Sequence, residues 1–451
     1  MFEIDLAWDR AARTGPQPTS HTLRVRISPL VQAGLGSGLP VMMAIAIDIS
    51  GSMAGDKLEK AKRACETVAG LLRSSDRLWL AGYSTDLVKV AEGLQGGSEA
   101  ARSVMAKIGR LSAQGVTRTD VALQWLEACL PSTPGTARVG ILITDGIPTD
   151  PMGKQTTDHA ALLQMAGRMG QAGISICAVG LGNARYFNSA LLTQISDRGR
   201  GEFIYAEKPE TLNQLLVNRL SASQRVAATD AALEIVRAKP GVTIKAACRF
   251  RPDYLPLEPV ETAEGYHIEA GAVRGDTSTD VLLNVELPAQ STDVWSGAQD
   301  VLTVRLTGSG DLADLPASAA RINNTESYSE AQRRDQDVDA DRLNWDVNVF
   351  SDALIKVQEQ DVSETVKMRK TGQLLTGMEQ SARRAGKDHL ADLAANQVTE
   401  LRKTGKLDAH RATGLLTASR SLGSPAGAQP LPGSKQSRET GVLAEALSGN
   451  D

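Results

Sequence analysis

The sequence predicts an α/β protein in which a doubly wound sheet is joined to a β-sandwich and a C-terminal helical segment. Three observations carry that expectation. Between residues 38 and 222, short apolar runs alternate with helical periodicities. From 223 to 308 the pattern changes to period-two alternation, and from 338 to 418 helical periodicity returns. A chain of 451 residues has room for about three domains of roughly 150 residues each, in keeping with the three patterns. With 41% hydrophobic and 23% charged residues, 41 Gly and 18 Pro, the composition is that of a globular protein. It excludes a collagen-like, wholly disordered or disulfide-dense chain.

Residues 1–37 contain an alternating stretch, with Leu23, Val25 and Ile27 set against Arg24 and Arg26. We expect it to pair with the later β region, which makes the α/β domain an insertion within a β domain. Strands are expected at 41–47, 78–83, 139–143, 174–179 and 202–205. Each is a short apolar run bounded by Gly, Asp, Ser or Pro, as in a buried parallel sheet. Between the first two, Leu58, Ala61, Cys65, Val68, Ala69 and Leu72 recur at three- and four-residue spacing and form one buried helical stripe. Residues 121–130 and 160–172 share the habit, and strand and helix in alternation imply double winding over 38–222. Segments 232–237, 242–249, 266–270, 280–287 and 301–306 alternate instead, separated by Pro and Gly turns. They predict an antiparallel sandwich over 223–308. Residues 309–337 are polar and aperiodic and read as a linker. In 338–418, Val349, Phe350, Ala353, Leu354 and Val357, then Leu390, Leu393, Ala394, Val398 and Leu401, predict two or three packed helices broken at Gly386. Residues 419–451, with Ser-Pro and Pro-Leu-Pro, read as a disordered tail.

Several function classes drop out. A formal net charge of −4 gives no field for nucleic acid or an anionic membrane. No apolar run approaches the ~20 residues that span a bilayer. The amino terminus lacks a basic region followed by an apolar core, so a cytoplasmic protein is expected. Cys65, Cys129, Cys177 and Cys248 lie far apart without a C-x-x-C, which argues for free thiols rather than zinc. Gly34-Leu35-Gly36-Ser37-Gly38 precedes the first strand, where a dinucleotide loop would follow it, and reads as linker. Gly180-Leu181-Gly182-Asn183-Ala184 reads as a strand-to-helix turn. Asp56 and Asp120 are expected as first-turn helix charges, and Asp150 as a turn residue. His389, His410, the run Lys367 to Lys370 and the pair Arg383-Arg384 are expected on solvated faces.

The informative string is Ala46-Ile47-Asp48-Ile49-Ser50-Gly51-Ser52-Met53, placed between an apolar strand and an amphipathic helix. That position is the carboxyl edge of the sheet, where α/β folds bind ligands. Asp48, Ser50 and Ser52 offer one carboxylate and two hydroxyls on a tight loop, with Gly51 expected to give it room to turn. Thr117, ahead of a helix, and Asp145, directly after the strand at 139–143, add oxygens at the same edge. Such hard donors suit Mg²⁺, Mn²⁺ or Ca²⁺.

D-x-S-G-S, then G-x-T, then T-D-G, in that order along strand, helix and strand, resemble the metal-ion-dependent adhesion site of the von Willebrand factor A family, whose fold is Rossmann-like. Residues 191–210 resemble the end of that domain in bacterial members. The following β region resembles the sandwich of bacterial calcium-activated chloride channel homologues. The resemblance implies that Ser50, Ser52 and Thr117 ligate a cation directly, Mg²⁺ first, with Asp48 and Asp145 held through water or weakly. It implies a non-enzymatic scaffold or adaptor whose cation binds an acidic side chain of a partner protein. Relatives of this layout work beside a kinase, a phosphatase or an AAA+ ATPase, and a chelatase-like or MoxR-like cofactor subunit is the alternative reading. The C-terminal helices could serve oligomerisation. A metal-dependent phosphatase is less favoured, because haloacid-dehalogenase-like enzymes carry Asp-x-Asp where this chain has Ser50.

Overall fold

The computed structural model describes residues 2–30, 38–289, 297–312, 315–360 and 362–424. The Gly-rich stretch at 34–37 and the tail from 425 onward, both assigned above from composition, lie outside the described residues. The chain divides into two compact units, Met1–Asp339 and Ala340–Asp451.

The first unit opens with β1 (Phe2–Trp8), β2 (Ala12–Arg13) and β3 (Thr19–Pro29). An α/β segment follows, with β4 (Val41–Asp48), α1 (Asp56–Leu71), β5 (Arg77–Tyr83), β6 (Leu87–Gln95), α2 (Glu99–Ile108), α3 (Thr119–Cys129), β7 (Ala137–Thr144), α4 (Ala160–Gln171), β8 (Ile174–Leu181), α5 (Ser189–Arg198), β9 (Phe203–Ala206) and α6 (Leu212–Ser223). Its sheet has the order β6-β5-β4-β7-β8-β9, parallel except for the antiparallel edge pair of β5 and β6. All residues of β4 are buried, and they alternate between two cores. Val41, Met43, Ile45 and Ile47 pack with α1 and α6 on one face. Met42, Ala44 and Ala46 pack with α3, α4 and α5 on the other. A strand covered by helices on both faces reads as a continuous apolar run, which is why these strands were legible. From β4 the chain builds outward first through β5 and then back through β7, so the switch in strand order lies between β4 and β7. Ligands of doubly wound sheets bind beyond the carboxyl ends at such a point.

The unit continues with β10 (Val226–Arg237), β11 (Thr243–Arg251), β12 (Leu255–Leu257), β13 (Val260–Glu261), β14 (Gly265–Arg274), β15 (Thr279–Leu287), β16 (Gly297–Thr307) and β17 (Ser318–Asn324). They form two sheets, β1-β3-β15-β11-β12 and β13-β14-β10-β16-β17-β2. One core joins the sheets, with Leu23, Val25 and Ile27 packed among Leu233, Ile235, Ile268, Val281, Leu283 and Val304. As expected from its alternation, β3 pairs with β15, antiparallel from Thr279↔Ile27 to Leu287↔Thr19. The α/β segment is therefore inserted between strands of the sandwich. Entry and exit lie side by side, since the Leu39 amide donates to the Val226 carbonyl at 2.8 Å.

The expected linker at 309–337 needs correction: it holds β17, α7 (Tyr328–Ala331) and the start of α8 (Gln336–Glu359). In β17 only Ala320, Ile322 and Asn324 are buried, too weak an alternation to read among Ser, Arg and Asn. Strand β6 went unread for a similar reason, as only Val90 and Ala91 of this edge strand are buried.

Among its described residues the second unit contains most of α8, then α9 (Glu364–Arg384), α10 (Asp388–Thr404) and α11 (Ala409–Arg420), one helix more than the upper expectation. Val347, Leu354, Leu375, Met378, Leu390, Ala394, Val398 and Leu415 share its core. Gly386, at φ 68°, separates α9 from α10. The tail assigned from 419 begins too early, because α11 runs to Arg420 and a 3₁₀ turn covers Ser421–Gly423. No helix of the described residues is long and apolar enough to cross a membrane.

Candidate metal centre

Asp48 ends β4 and is fully buried at the switch point. Its Oδ1 accepts the Ser50 amide at 2.8 Å and its Oδ2 accepts the Thr144 hydroxyl at 2.7 Å. Thr144, the last residue of β7, thus couples the tip of β4 to the tip of β7, directly before Asp145. The Ser50 and Ser52 hydroxyls lie 3.1 Å apart, and Ser52 donates to Asp145 Oδ1 at 2.6 Å. With its one proton committed to Asp145, Ser52 accepts from Ser50. Asp145 Oδ2 meets the Lys57 ammonium at 2.5 Å, and the same ammonium donates to the Ser52 carbonyl at 3.3 Å.

Thr117 arrives from the neighbouring loop. A Cβ on Gly146 would lie 2.8 Å from the Thr117 Oγ1, so only glycine lets the backbone after Asp145 rest against that hydroxyl. The loops are tied by their backbones, with the Gly51 amide donating to Gly115 O at 3.2 Å and the Gln114 amide to Ile49 O at 2.7 Å. Gly115 holds a left-handed φ of 79°, and a Cβ there would come 2.6 Å from Thr85 Oγ1. Gly51 does not have that role. Its φ lies outside the left-handed region, and a Cβ would meet only Gly115 O at 3.9 Å. The conformational demand expected at Gly51 sits at Gly115.

All five residues singled out from the sequence, Asp48, Ser50, Ser52, Thr117 and Asp145, therefore meet at one sheet edge. Lys57 and Thr144 were missed. Lys57 stands five residues after Ser52 in the first turn of α1, and Thr144 directly precedes Asp145. A search for charge complements of the two carboxylates would have found Lys57. Burial pushes the Asp48 carboxyl up to about 6, opposed by its bonds from Ser50 and Thr144 and aided by the nearby Asp145. Burial also pushes the Tyr83 phenol up, with Asp48 close by.

Asp56 lies in the first turn of α1. Asp120 pairs with Arg118 at 2.6 Å. Asp150 closes a turn by accepting the amides of Met152 and Lys154, each at 2.9 Å. Cys65, Cys177 and Cys248 are buried free thiols and Cys129 is half-buried. Among the described residues no group of three or more His, Cys, Asp or Glu could hold a metal ion. The donor set here is of another kind, two carboxylates and three hydroxyls. Its chemistry fits a small hard divalent cation: every donor is oxygen, and Lys57 meets the Asp145 carboxylate.

Residues 43–218 match the family model of the von Willebrand factor type A domain. Human inter-alpha-trypsin inhibitor heavy chain H1 is 25% identical over 177 residues, which are 38% of this chain and 19% of that protein, so the chain spans a minor part of this relative. Among solved structures, von Willebrand factor type A from Catenulispora acidiphila superposes with a TM-score of 0.72 at 17% identity, covering 93% of this chain and 96% of that one. The ArnB paralog VWA2 from Sulfolobus acidocaldarius gives 0.53 at 16% identity, covering 94% and 99%. At these identities the structures show a shared fold. With the sheet order and the family match, residues 43–218 of this chain are a von Willebrand factor type A domain.

Proposed function

We propose that this chain is a metal-dependent interaction protein, a scaffold or adaptor that holds an acidic side chain of a partner protein at its von Willebrand A domain. The observation that supports it most is the run of contacts Ser50–Ser52–Asp145–Lys57 and Ser50–Asp48–Thr144, which gathers oxygens from separate loops at the switch point. Ser50, Ser52 and Thr117 would hold a divalent cation directly, Mg²⁺ in first place, with Asp48 and Asp145 behind them. Once bound, the ion supplies a strong positive charge with an open position for one more anionic oxygen. The chain's own residues set that charge. Three neutral hydroxyls leave it incompletely compensated, and Lys57 already draws on Asp145.

The reading is of binding and not of catalysis. Asp48, the carboxylate at the tip of β4, is fully buried, and its oxygens face the Ser50 amide and the Thr144 hydroxyl rather than a substrate. Calorimetric titration with Mg²⁺ tests the site in the intact chain. Wild type is expected to bind one ion, and Asp48→Ala and Ser50→Ala to weaken it at least about tenfold, the cost typical even of groups behind the ligands. Variants that bind Mg²⁺ like wild type would remove the site.

A further inference from the structure

The basic run from Lys367 to Lys370 takes no part in the metal centre, and the fold of the second unit adds to it. The start of α9 lies against the end of α10. A Cβ on Gly405 would meet Met368 Sδ at 4.0 Å, and one on Gly372 would meet Leu401 Cδ2 at 3.7 Å. Gln397 holds the start of α11 at the same end, donating to Asp408 O at 3.2 Å and accepting the Asp408 amide at 3.2 Å. The Lys370 ammonium donates to Gln360 Oε1 at 2.6 Å and ties in the turn that leaves α8. Four helix ends therefore meet. They place Lys367, Arg369 and Lys370 of α9 at one end of the unit with Arg402 and Lys403 of α10. Lys406 and Arg411 follow on the chain at that end.

This charge is little compensated. Residues 356–370 and 400–411 hold eight Lys or Arg against five Asp or Glu. Of the seven cations named, only Lys367 has a carboxylate in ion-pair range among the described residues, Glu364 at 3.8 Å. Arg369, Arg402, Lys403, Lys406 and Arg411 are exposed. Helix stability explains part of the pattern, since the dipole favours Arg402 and Lys403 in the last turn of α10. It does not explain the cations in the first two turns of α9 or Arg411 in the first turn of α11, because helix starts favour anions. Like charges gathered in this way repel, and an anion supplied from outside relieves them.

Three features select that anion. Helices packed 8–10 Å apart give an end roughly 20 Å across, the reach of about six extended residues. Away from this end the chain is more acidic than its formal net charge of −4, which repels a long nucleic acid or an anionic bilayer. Residues 356–411 contain no Phe, Trp or Tyr on which a base could stack. Met368, 41% exposed at the start of α9, adds apolar contact for a peptide.

We propose that this end of the second unit docks a short acidic segment of a partner protein, about six residues rich in Asp or Glu, independently of the metal centre. Fluorescence anisotropy of labelled hexaglutamate on the intact chain in EDTA tests it, with hexaglutamine and hexathymidylate as comparisons. Hexaglutamate is expected to bind, hexaglutamine not to bind, and hexathymidylate to bind more weakly than hexaglutamate. The variants Lys367→Gln/Arg369→Gln/Lys370→Gln and Arg402→Gln/Lys403→Gln/Lys406→Gln are each expected to weaken hexaglutamate on the order of tenfold. Arg383→Gln/Arg384→Gln, at the far end of α9, and Asp48→Ala are expected to bind it like wild type. Unchanged binding in either triple variant, or an equal loss in Arg383→Gln/Arg384→Gln, would overturn the proposal. So would no binding of hexaglutamate, or tighter binding of hexathymidylate, which would point to nucleic acid.

Discussion

At the scale of residues, Lys57 pairs with the Asp145 carboxylate, so a divalent cation at the proposed site would share that carboxylate with an ammonium that opposes it. A unit charge and a divalent cation about 4 Å apart in a hydrated site repel by about 2 kcal/mol. Lys57→Met is therefore expected to tighten Mg²⁺ binding by up to roughly thirtyfold in calorimetry; weaker binding would mean that Lys57 supports the site. A second residue, outside the proposed site, carries a pH dependence of its own. His21 is buried in β3, and its two ring nitrogens lie 3.0 Å from Arg10 O and 3.0 Å from the Thr19 hydroxyl. A neutral ring satisfies both, donating to the carbonyl and accepting from the hydroxyl. Burial first, and the nearby Arg10 next, push its pKa down to about 4. Between 6.5 and about 4 the unfolded chain holds the proton that the folded chain refuses. Stability from this group is complete above 6.5 and falls as the pH drops toward 4, with a slope of at most about 1.4 kcal/mol per unit. Urea melts of His21→Gln across that window are expected to show a flatter profile than wild type, and an unchanged slope would exclude His21 as its source.

At the scale of elements, what could be read ahead of the structure depended on burial on both sides. Strands β4, β7 and β8 are covered by helices on two faces, and their unbroken apolar runs stand out in the sequence. Elements at or beside a sheet edge gave little signal: the edge strand β6 buries only Val90 and Ala91, and β17, next to the two-residue edge strand β2, is mostly Ser, Ala, Arg and Asn. The five oxygen residues were legible because each falls at a fixed offset from a readable strand or helix. Lys57 and Thr144 were not, because their roles come from contacts between elements, α1 to β7 and β7 to β4. Gly51 was misjudged since a glycine inside a motif says nothing about which residue of the joined loops bears the positive φ. Gly115 bears it, and Gly115→Ala combines a strained φ with a Cβ 2.6 Å from Thr85 Oγ1. It is expected to lower stability by about 1–3 kcal/mol and to weaken Mg²⁺ binding by displacing Thr117. A variant with wild-type melting temperature and Mg²⁺ affinity would show that this loop is not under that constraint.

At the scale of the whole molecule, an inserted domain needs its two crossings held together, and Asp76 does this in the first unit. Its carboxylate accepts the Val41 amide at 3.0 Å, the Arg73 amide at 2.9 Å and the Gln224 side chain at 2.8 Å. Arg73, paired with it at 2.9 Å, also donates to Leu39 O at 2.6 Å. Entry, exit and the first strand of the sheet thus converge on one buried carboxylate. Burial alone would raise its pKa, but the bonds from Arg73, Val41 and Gln224 outweigh that and hold it below the ordinary range. Asp76→Ala strands the Arg73 guanidinium and these donors, and about 3–5 kcal/mol of stability is expected to go with it in chemical denaturation. A loss below about 1 kcal/mol would place the junction's strength elsewhere. The insertion itself was legible because Leu23, Val25 and Ile27 alternate, whereas the hub was not, since Arg73-Ser74-Ser75-Asp76 reads as an ordinary polar turn. All of this scaffolding serves one claim, that the switch point of the von Willebrand A domain holds a hard divalent cation. Crystals of the full chain grown with Mn²⁺ and measured at its absorption edge test it most directly. One anomalous peak is expected among Asp48, Ser50, Ser52, Thr117 and Asp145, absent in Asp48→Ala crystals. A map with no peak there, or with the ion bound away from these five residues, would contradict it.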